Sequence, residues 1–366
     1  MRVLISPMET FFFRDARPFD RGEGWARGIF PPLPSTFYGA FRTAAISQNC
    51  ALSEYYSKDN PIEEEMGSPT HCGAFSIKSI ALFDGISPLF PIPLDLLQSG
   101  PDLEPLEPCR DHVISDVPFP LYVAKSVDLD IPAIPWLEAG ELRKYLLGEP
   151  IVKACSHDPL VEELKTGIQK DRERGNAEEH MLYVQRMLRL KDGYCFAIEA
   201  ENITGVTDRG SLKLGHDGRV FSYEKMHRES NCQSLNIRQE FINQLKKNGG
   251  NFKLIFTSPA ILKRGWLPGD AGSSDKDYTW LQNGLKIKVE SAVIGAPMRV
   301  GGWDMKQKAP KPMMKAVPPG SVYYCKMEEG DTGALFDSLF DNNLSDGDPE
   351  LAKQGFGHTL IGVRNN

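Results

Sequence analysis

The chain has 366 residues, of which 41% are hydrophobic, and a formal net charge of −7. This length favours two domains of ordinary size, and the composition fits a globular chain and not a disordered one. No apolar run approaches the roughly 20 residues that a membrane-spanning helix needs. Residues 1–7 also lack the small-residue cleavage site of a secretory signal. We therefore expect a globular, cytoplasmic protein that has no membrane partner.

The cysteines are spread along the whole chain. Their number, seven, is odd, and no two of them have the Cys-x-x-Cys spacing of a metal site. In the reducing cytoplasm such cysteines are expected to be free thiols. We therefore expect neither disulfide bonds nor a zinc site.

The acidic residues are concentrated in two segments. Residues 60–120 carry ten Asp or Glu and two Lys or Arg, and residues 328–350 carry eight Asp or Glu and no Lys or Arg. Each segment has a charge of −8, so the rest of the chain has a charge of +9. A basic remainder could meet phosphate groups while the acidic segments face protein partners or solvent. Acidic loops that only keep the chain in solution fit the same counts.

In the first half, apolar periodicity and turn residues predict a strand, a helix, a second strand and a second helix, followed by a charge-rich helical stretch. The expected ranges are 2–6, 35–48, 74–83, 136–147 and 157–189. Proline is frequent in segments 88–120 and 131–135. Because proline resists regular structure, we expect these two segments to be surface loops.

The second half has the pattern of a β-rich region. Strands are expected at 194–200, 212–214, 219–223, 252–257, 285–294, 321–326 and 359–363, with one helix at 236–247. Many strands interleaved with few helices predict an α+β fold, in which helices pack on one face of antiparallel sheets.

Three stretches of the sequence carry a family resemblance. The first comprises Phe12–Asp20 and Pro31–Arg42, the second comprises Ile294–Asp304 and Lys308–Tyr324, and the third is the glycine-rich Gly355–His358. Together they resemble the third-subunit family of the type III-B CRISPR Cmr complex, a group of RAMP proteins. The chain departs from the family pattern at Ala16 and His216, where glycine is usual, so the local loop shape there is not carried over.

The resemblance implies two ferredoxin-like (RRM-like) domains with long loop insertions, which we place at 1–175 and 176–366. It implies a subunit that binds the 5′ repeat-derived handle of the CRISPR RNA (crRNA). The implied protein partners are the large polymerase/cyclase-like Cmr subunit and the backbone RAMP subunit. No cofactor of its own is expected, although the resemblance leaves room for a nucleotide at the interface with the large subunit. Segments 88–120 and 328–350 are candidate protein-facing surfaces.

The glycine-rich loop is the first candidate RNA site. Glycines such as Gly355 and Gly357 expose backbone N–H groups that can bind phosphate. The ring of Phe356 could stack on a base and His358 could donate to phosphate. An ordinary tight turn before a strand explains the same residues.

Basic residues elsewhere are the second candidate set. Arg14 and Arg17 lie in the loop after the first strand, and Arg42 lies on the first helix. Arginine suits phosphate, but Arg14 could instead pair with Asp15 or Asp20. Residues 297–320 carry five cations and one acid, and four prolines in 308–319 favour an extended loop that tracks single-stranded RNA. The five cations are Arg299, Lys306, Lys308, Lys311 and Lys315. We assign Trp303 to the core, because burial is the usual fate of a lone tryptophan.

No catalytic motif stands out. The seven histidines form no recognisable pair, and no phosphate-binding loop, His-Glu-x-x-His or Gly-x-Ser-x-Gly is present. The acidic run 63–65 is read as a solvated turn and not as a metal site. We therefore expect a non-catalytic subunit. The alternatives are a metal-independent RAMP endoribonuclease that uses His358, the equivalent subunit of a type III-A complex, and a scaffold that binds only protein.

Overall fold

The computed structural model describes residues 1–14, 25–26, 28–57, 60–109, 129–149, 152–155, 157–170, 177–226, 235–269 and 278–364. Within these ranges the chain mixes helices with a larger number of strands, as expected for a fold of both types. The strands are β1 (Arg2–Pro7), β2 (Trp25–Ala26), β3 (Ser76–Phe83), β4 (Pro88–Pro91), β5 (Leu96–Ser99), β6 (Asp102–Pro105), β7 (Trp136–Glu138), β8 (Val152–Lys153), β9 (Leu160–Lys170), β10 (Ala177–Leu190), β11 (Cys195–Glu201), β12 (Arg209–Leu214), β13 (Arg219–Met226), β14 (Asn251–Phe256), β15 (Thr279–Gln282), β16 (Leu285–Val293), β17 (Met298–Val300), β18 (Trp303–Asp304), β19 (Ala309–Pro310), β20 (Met314–Ala316), β21 (Val322–Glu329), β22 (Asn342–Asn343) and β23 (His358–Val363). The helices are α1 (Pro34–Asn49), α2 (Leu52–Tyr55), α3 (Glu63–Met66), α4 (Ala139–Leu146), α5 (Arg238–Lys247), α6 (Thr332–Leu339) and α7 (Pro349–Lys353).

The first large sheet has the strand order β12-β13-β1-β11-β3-β4-β7. Its strands pair antiparallel, and β1 lies between β11 and β13. Val3 and Ile5 of β1 are fully buried and share a core with Phe37 and Phe41 of α1. Apolar residues alternate along β1 and recur at helical spacing along α1, so one face of this sheet packs against one face of the helix.

The second large sheet has the strand order β15-β16-β21-β14-β23-β22. Its core includes Leu254 and Ile361 from the strands, Phe241 from α5 and Leu335 from α6. The same cluster includes Ala81 of β3, so this core is shared between the second large sheet and part of the first.

The predicted domain boundary between residues 175 and 176 is wrong. It falls between β9 and β10, which pair with each other along their length. In addition, β11, β12 and β13 lie after this boundary but belong to the same sheet as β1. The chain crosses to the second large sheet only after residue 226.

The helical prediction for 157–189 is also wrong. This segment forms β9 and β10, an antiparallel pair that joins the short β2 in a separate sheet. Ion pairs cross the two strands, with Arg186 Nη1 3.2 Å from Glu162 Oε2. Because the charged residues that suggested a helix find their partners across strands, tertiary pairing overrides local propensity.

The predicted loop 88–120 contains three strands within the part that the structure describes. β4 extends the first sheet, while β5 and β6 form a small sheet with β8. Leu96 and Leu103 are buried in the shared interior. Prolines stand at the first or last position of β4 and β6 instead of preventing these strands, and the first residue of a strand is a position that tolerates proline.

Most other predicted elements are confirmed within a few residues. Helix 35–48 corresponds to α1, strand 285–294 corresponds to β16, and strand 359–363 corresponds to β23. The predicted helix 136–147 begins later, because its first three residues form β7. Among the described helices, none combines the length and apolar composition that crossing a lipid bilayer requires.

Candidate nucleic-acid interface

Residues 298–316 form a two-part β-hairpin, which we call the basic hairpin. Near its base β17 pairs with β20, and nearer its tip β18 pairs with β19. At the tip, Asp304 Oδ1 accepts hydrogen bonds from the backbone N–H groups of Lys306 and Gln307, both at 2.8 Å. The segment is therefore extended, as its prolines predicted, and its shape is held by its own backbone.

The cations of the basic hairpin point into solvent. All five are exposed, and within the described residues none of them forms an ion pair. They are Arg299, Lys306, Lys308, Lys311 and Lys315. The single acid of the hairpin, Asp304, is engaged with backbone N–H groups at the tip. The hairpin therefore presents uncompensated positive charge, which favours an anionic ligand.

The assignment of Trp303 to the core is wrong. The residue is 57% exposed on β18, and Met305 and Met313 beside it on the same hairpin are 68% and 54% exposed. The local sequence contained the relevant signal, because glycine, lysine and proline around Trp303 leave few apolar neighbours for a core. An exposed indole beside cations is the side-chain combination that binds single-stranded nucleic acid by stacking.

The base of the basic hairpin is fixed by an apolar cluster. Val300 and Ala316 from β17 and β20 are buried in it against Leu33, Ile261 and Phe356. Phe356 belongs to the glycine-rich loop and is fully buried. The glycine-rich loop thus supports the hairpin from below.

The prediction that the glycine-rich loop binds phosphate through its backbone is wrong for this structure. Its four N–H groups all donate within the chain: Gly355 to Ala352 O, Phe356 to Leu351 O, Gly357 to Pro259 O and His358 to Ser258 Oγ. Gly357 has a φ of +75°, and a Cβ there would collide with the carbonyl oxygen of Leu344. The glycines serve close backbone packing, and the buried ring of Phe356 has no face free for a base.

His358 is likewise buried and has partners on both ring nitrogens. Thr257 Oγ1 lies 2.5 Å from its Nδ1, and Asp341 Oδ1 lies 2.9 Å from its Nε2. Asp341 is also paired with Lys78 at 2.7 Å. Burial opposes the charge of Asp341, but hydrogen bonds from His358 and Lys78 outweigh it and lower the pKa of Asp341 to about 2. The prediction that His358 donates to phosphate is therefore wrong for this arrangement.

The predicted arginines do not form one group. Arg14 is exposed, and its backbone forms an isolated antiparallel β-bridge with Gly28. Arg17 lies outside the described residues. Arg42 is half-buried, with its guanidinium 5.8 Å from the Tyr38 ring and Nη1 3.4 Å from Ser68 O.

Ile29 connects Arg14 to the basic hairpin, a link that the sequence did not reveal. Its backbone N–H donates to Phe13 O at 2.8 Å, next to the Arg14–Gly28 bridge. Its side chain packs against the cluster under the hairpin. Arg14 and the base of the basic hairpin are therefore held by one continuous segment.

Comparison with known proteins identifies the family of this chain. The sequence profile of the CRISPR-associated protein (Cas_Cmr3) family matches residues 3–364. This chain belongs to that family. It is a CRISPR-associated protein of the type III-B Cmr kind, and no curated protein matches its sequence.

Solved structures include chains that are similar to this Cas_Cmr3 family member. A chain from the type III-B Cmr-beta complex bound to cognate target RNA and AMPPnP has a TM-score of 0.50 and 15% identity, over 88% of this chain and 86% of that one. A chain from a Csm3-Csm4 subcomplex of the type III-A interference complex has a TM-score of 0.35 and 12% identity, over 88% of this chain and 92% of that one. At 15% identity the first likeness shows a shared fold.

The stretches that carry the family resemblance coincide with the candidate interface. The second stretch, 294–304 with 308–324, covers the basic hairpin except for residues 305–307 at its tip, and Phe356 of Gly355–His358 packs against the hairpin base. In this Cas_Cmr3 family member, the first stretch supplies Leu33 to the same cluster. The three stretches thus build one structural unit from distant parts of the chain.

Proposed function

We propose that this chain is a non-catalytic, RNA-binding subunit of a type III-B Cmr effector complex that holds the 5′ repeat-derived handle of the crRNA. The observation that carries the proposal is the basic hairpin, which exposes five cations that pair with no acid among the described residues, around a 57% exposed tryptophan. Cations bind the phosphates of single-stranded RNA, and an exposed aromatic ring stacks on its bases.

The strand order supports two ferredoxin-like units of the kind found in RNA-binding RRM domains. Numbered by position along the chain, the four strands of such a unit lie in the order fourth, first, third, second. Within the first sheet β13-β1-β11-β3 have this order, and within the second sheet β23-β14-β21-β16 have it. α1 follows the first strand of the first unit, and α6 lies between the third and fourth strands of the second, so each unit has one of the two helices of a βαββαβ unit among the described residues.

We infer that the protein partners are the large polymerase/cyclase-like subunit and the backbone RAMP subunit. Support comes from the family membership and from the shared fold with a chain whose complex is bound to cognate target RNA and AMPPnP. His358 supports the proposal that this subunit is non-catalytic. Its ring is buried, and both ring nitrogens already have hydrogen-bond partners within the chain. A general acid or base must reach the proton it moves, and this imidazole does not reach the surface.

Charge on the basic hairpin should set the salt dependence of RNA binding. We expect the triple variant Lys306→Ala/Lys308→Ala/Lys311→Ala to bind handle RNA more weakly, because fewer counterions are released. The slope of log Kobs against log salt should fall in magnitude by about 2, at about 0.7 per lost phosphate contact on single strands. Fluorescence anisotropy with a labelled RNA bearing a repeat-derived 5′ handle, with and without the large subunit, measures it.

The matched control is Lys246→Ala/Lys247→Ala/Lys326→Ala, which removes three exposed lysines from α5 and β21. It should leave the slope unchanged. Equal slopes for the two triple variants would rule out the basic hairpin as the phosphate-binding surface. RNA cleavage on a gel without added metal would overturn the non-catalytic assignment in favour of an endoribonuclease.

Stacking on Trp303 should contribute affinity that is independent of salt. We expect Trp303→Ala to weaken handle binding by about 1–3 kcal/mol, the usual value for one base stacked on an aromatic ring. Trp303→Phe should retain most of that affinity, because a smaller aromatic ring remains. Titrations at two salt concentrations separate this loss from the electrostatic one. If alanine and phenylalanine variants bind as tightly as the wild type, the indole makes no base contact.

A further inference from the structure

Besides their shared core, the two large sheets are joined by a network of ionisable side chains. Lys78 of β3 in the first sheet contacts Asp341, which follows α6 in the second half, with 2.7 Å between Nζ and Oδ2. His358 of β23 contacts the other oxygen of Asp341. Asp341 thus serves as the shared anion for one residue from each half, and we call this set the inter-sheet joint.

Glu199 of β11 is buried next to the inter-sheet joint, with 4% of its surface exposed. In the strand register it lies opposite Arg2 of β1 on one side and Ser79 of β3 on the other. Within the part of the chain that the structure describes, Glu199 Oε1, Arg2 Nε and Ser79 Oγ have no hydrogen-bond partner. A carboxylate placed there loses its hydration and gains little in return.

The charges that face Glu199 oppose one another. Asp341 repels an ionised Glu199, whereas Arg2, Lys78 and the amino group of Met1 attract it. Burial is the largest influence and the repulsion from Asp341 adds to it, so the pKa of Glu199 is raised to about 7. Glu199 therefore changes charge near neutral pH, unlike Asp341, whose pKa is lowered to about 2.

We propose that Glu199 is a proton-sensitive latch for the inter-sheet joint. When Glu199 is neutral, Lys78 is left to pair with Asp341 and the two halves are held together. When Glu199 loses its proton, its carboxylate repels Asp341 and competes for Lys78, so the joint opens more easily. Because His358 is the last residue of the glycine-rich loop, whose Phe356 supports the basic hairpin, opening of the joint would also loosen the hairpin base.

The direction of the pH dependence follows from the raised pKa of Glu199. The folded pKa lies above the unfolded value of 4.5, so the closed joint keeps a proton that the open form releases between about pH 4.5 and 7. Stability of the joint therefore falls as the pH rises through this window and stays low above it. For a pKa of about 7 in the closed form, the opening equilibrium should rise about tenfold between pH 6 and pH 8.5.

Hydrogen exchange on the full chain tests the latch. Peptides covering 76–83 and 340–346 should open about tenfold more at pH 8.5 than at pH 6, after correction for the intrinsic exchange rate. Glutamine has nearly the shape of glutamate but does not ionise, so in Glu199→Gln the two peptides should open equally at pH 6 and pH 8.5. The control Glu201→Gln changes an exposed residue of the same strand and should leave the ratio intact. The proposal would be overturned if Glu199→Gln kept the difference of about tenfold between the two pH values, or if the wild type opened equally at both.

Infrared spectroscopy provides a second test on the wild-type chain, in case Glu199→Gln disturbs folding. The wild type at pH 6 should show the absorption of a protonated carboxyl group, and this band should be lost at pH 8.5. A purely structural Glu199 that stays ionised would show no such band, and that result would reject the latch.

Discussion

Replacing Asp95 by alanine should destabilise the chain by roughly 3–5 kcal/mol, the usual cost of breaking a buried ion pair from one side. Asp95 is fully buried; its Oδ2 lies 3.1 Å from Nζ of Lys253, which is itself 3% exposed. Without Asp95, the nearest anion to Lys253 is Glu107 at 3.9 Å. Urea unfolding of both proteins, followed by circular dichroism, measures the difference.

Two tyrosines raise the cost of this change. Tyr145 donates to Asp95 Oδ1 at 2.7 Å and Tyr324 donates to Oδ2 at 3.0 Å. Burial, together with the neighbouring Asp95, holds the pKa of each hydroxyl far above its ordinary value, so both keep their protons. Tyr324 has a second acceptor in Leu106 O, whereas the hydroxyl of Tyr145 loses the acceptor it has here.

Removing both charges separates the ion pair from simple loss of packing. The double variant Asp95→Leu/Lys253→Met should recover the part of the lost stability that comes from the unpaired Lys253, since apolar residues of similar size replace buried ion pairs at little net cost. The cost of the Tyr145 hydroxyl without its acceptor should remain. Glu104→Ala, an exposed change on β6, should stay within about 0.5 kcal/mol of the wild type. A double variant as unstable as Asp95→Ala would show that the cluster is held by shape and not by charge compensation.

The sequence predicted the central strands well because their burial repeats locally. In β1 and β16 alternate residues are buried, and α1 buries residues at helical spacing. These patterns depend only on which face of an element meets the core, so they can be read from a short window. The strand order and the place where the chain crosses between sheets depend on long-range pairing, which no short window contains.

The segments that were misread owe their structure to distant partners. β9 and β10 contain charged residues typical of a surface helix, yet Glu163 pairs with Arg189 across the strands. Segment 88–120 was expected to be a loop, yet its strands β4, β5 and β6 are ordered, and Asp95 between them binds Lys253 of β14 in the second sheet. The sequence does not distinguish a buried aspartate from a solvated one, so only the tertiary structure identifies Asp95 as buried.

At the candidate interface, sequence reasoning found the charges but exchanged the roles of two aromatic residues. Trp303 was assigned to the core and is exposed, whereas Phe356 was assigned to RNA and is fully buried. A phenylalanine between two glycines looks like a ring presented by a turn. Its burial comes from Leu33, Ile261 and Val300, which lie far away in sequence.

Because Phe356 is buried in the protein, its truncation should have a large effect on stability. Phe356→Ala should destabilise the chain by roughly 3–5 kcal/mol, the usual cost of truncating a fully buried phenylalanine. The cavity would open beneath Val300 and Ala316, so the base of the basic hairpin should loosen. Thermal unfolding measures the stability, and hydrogen exchange of peptides covering 298–316 measures the loosening.

Phe356→Leu distinguishes this structural role from base stacking. Leucine fills most of the site and should cost less than about 1.5 kcal/mol of stability. Because it has no aromatic ring, it would lose the roughly 1–3 kcal/mol of a stacked base if Phe356 contacted RNA. We expect Phe356→Leu to bind handle RNA within about twofold of the wild type, since its contacts are with protein. A stable Phe356→Leu variant that binds RNA tenfold more weakly would instead place Phe356 on the RNA and require the glycine-rich loop to rearrange on binding.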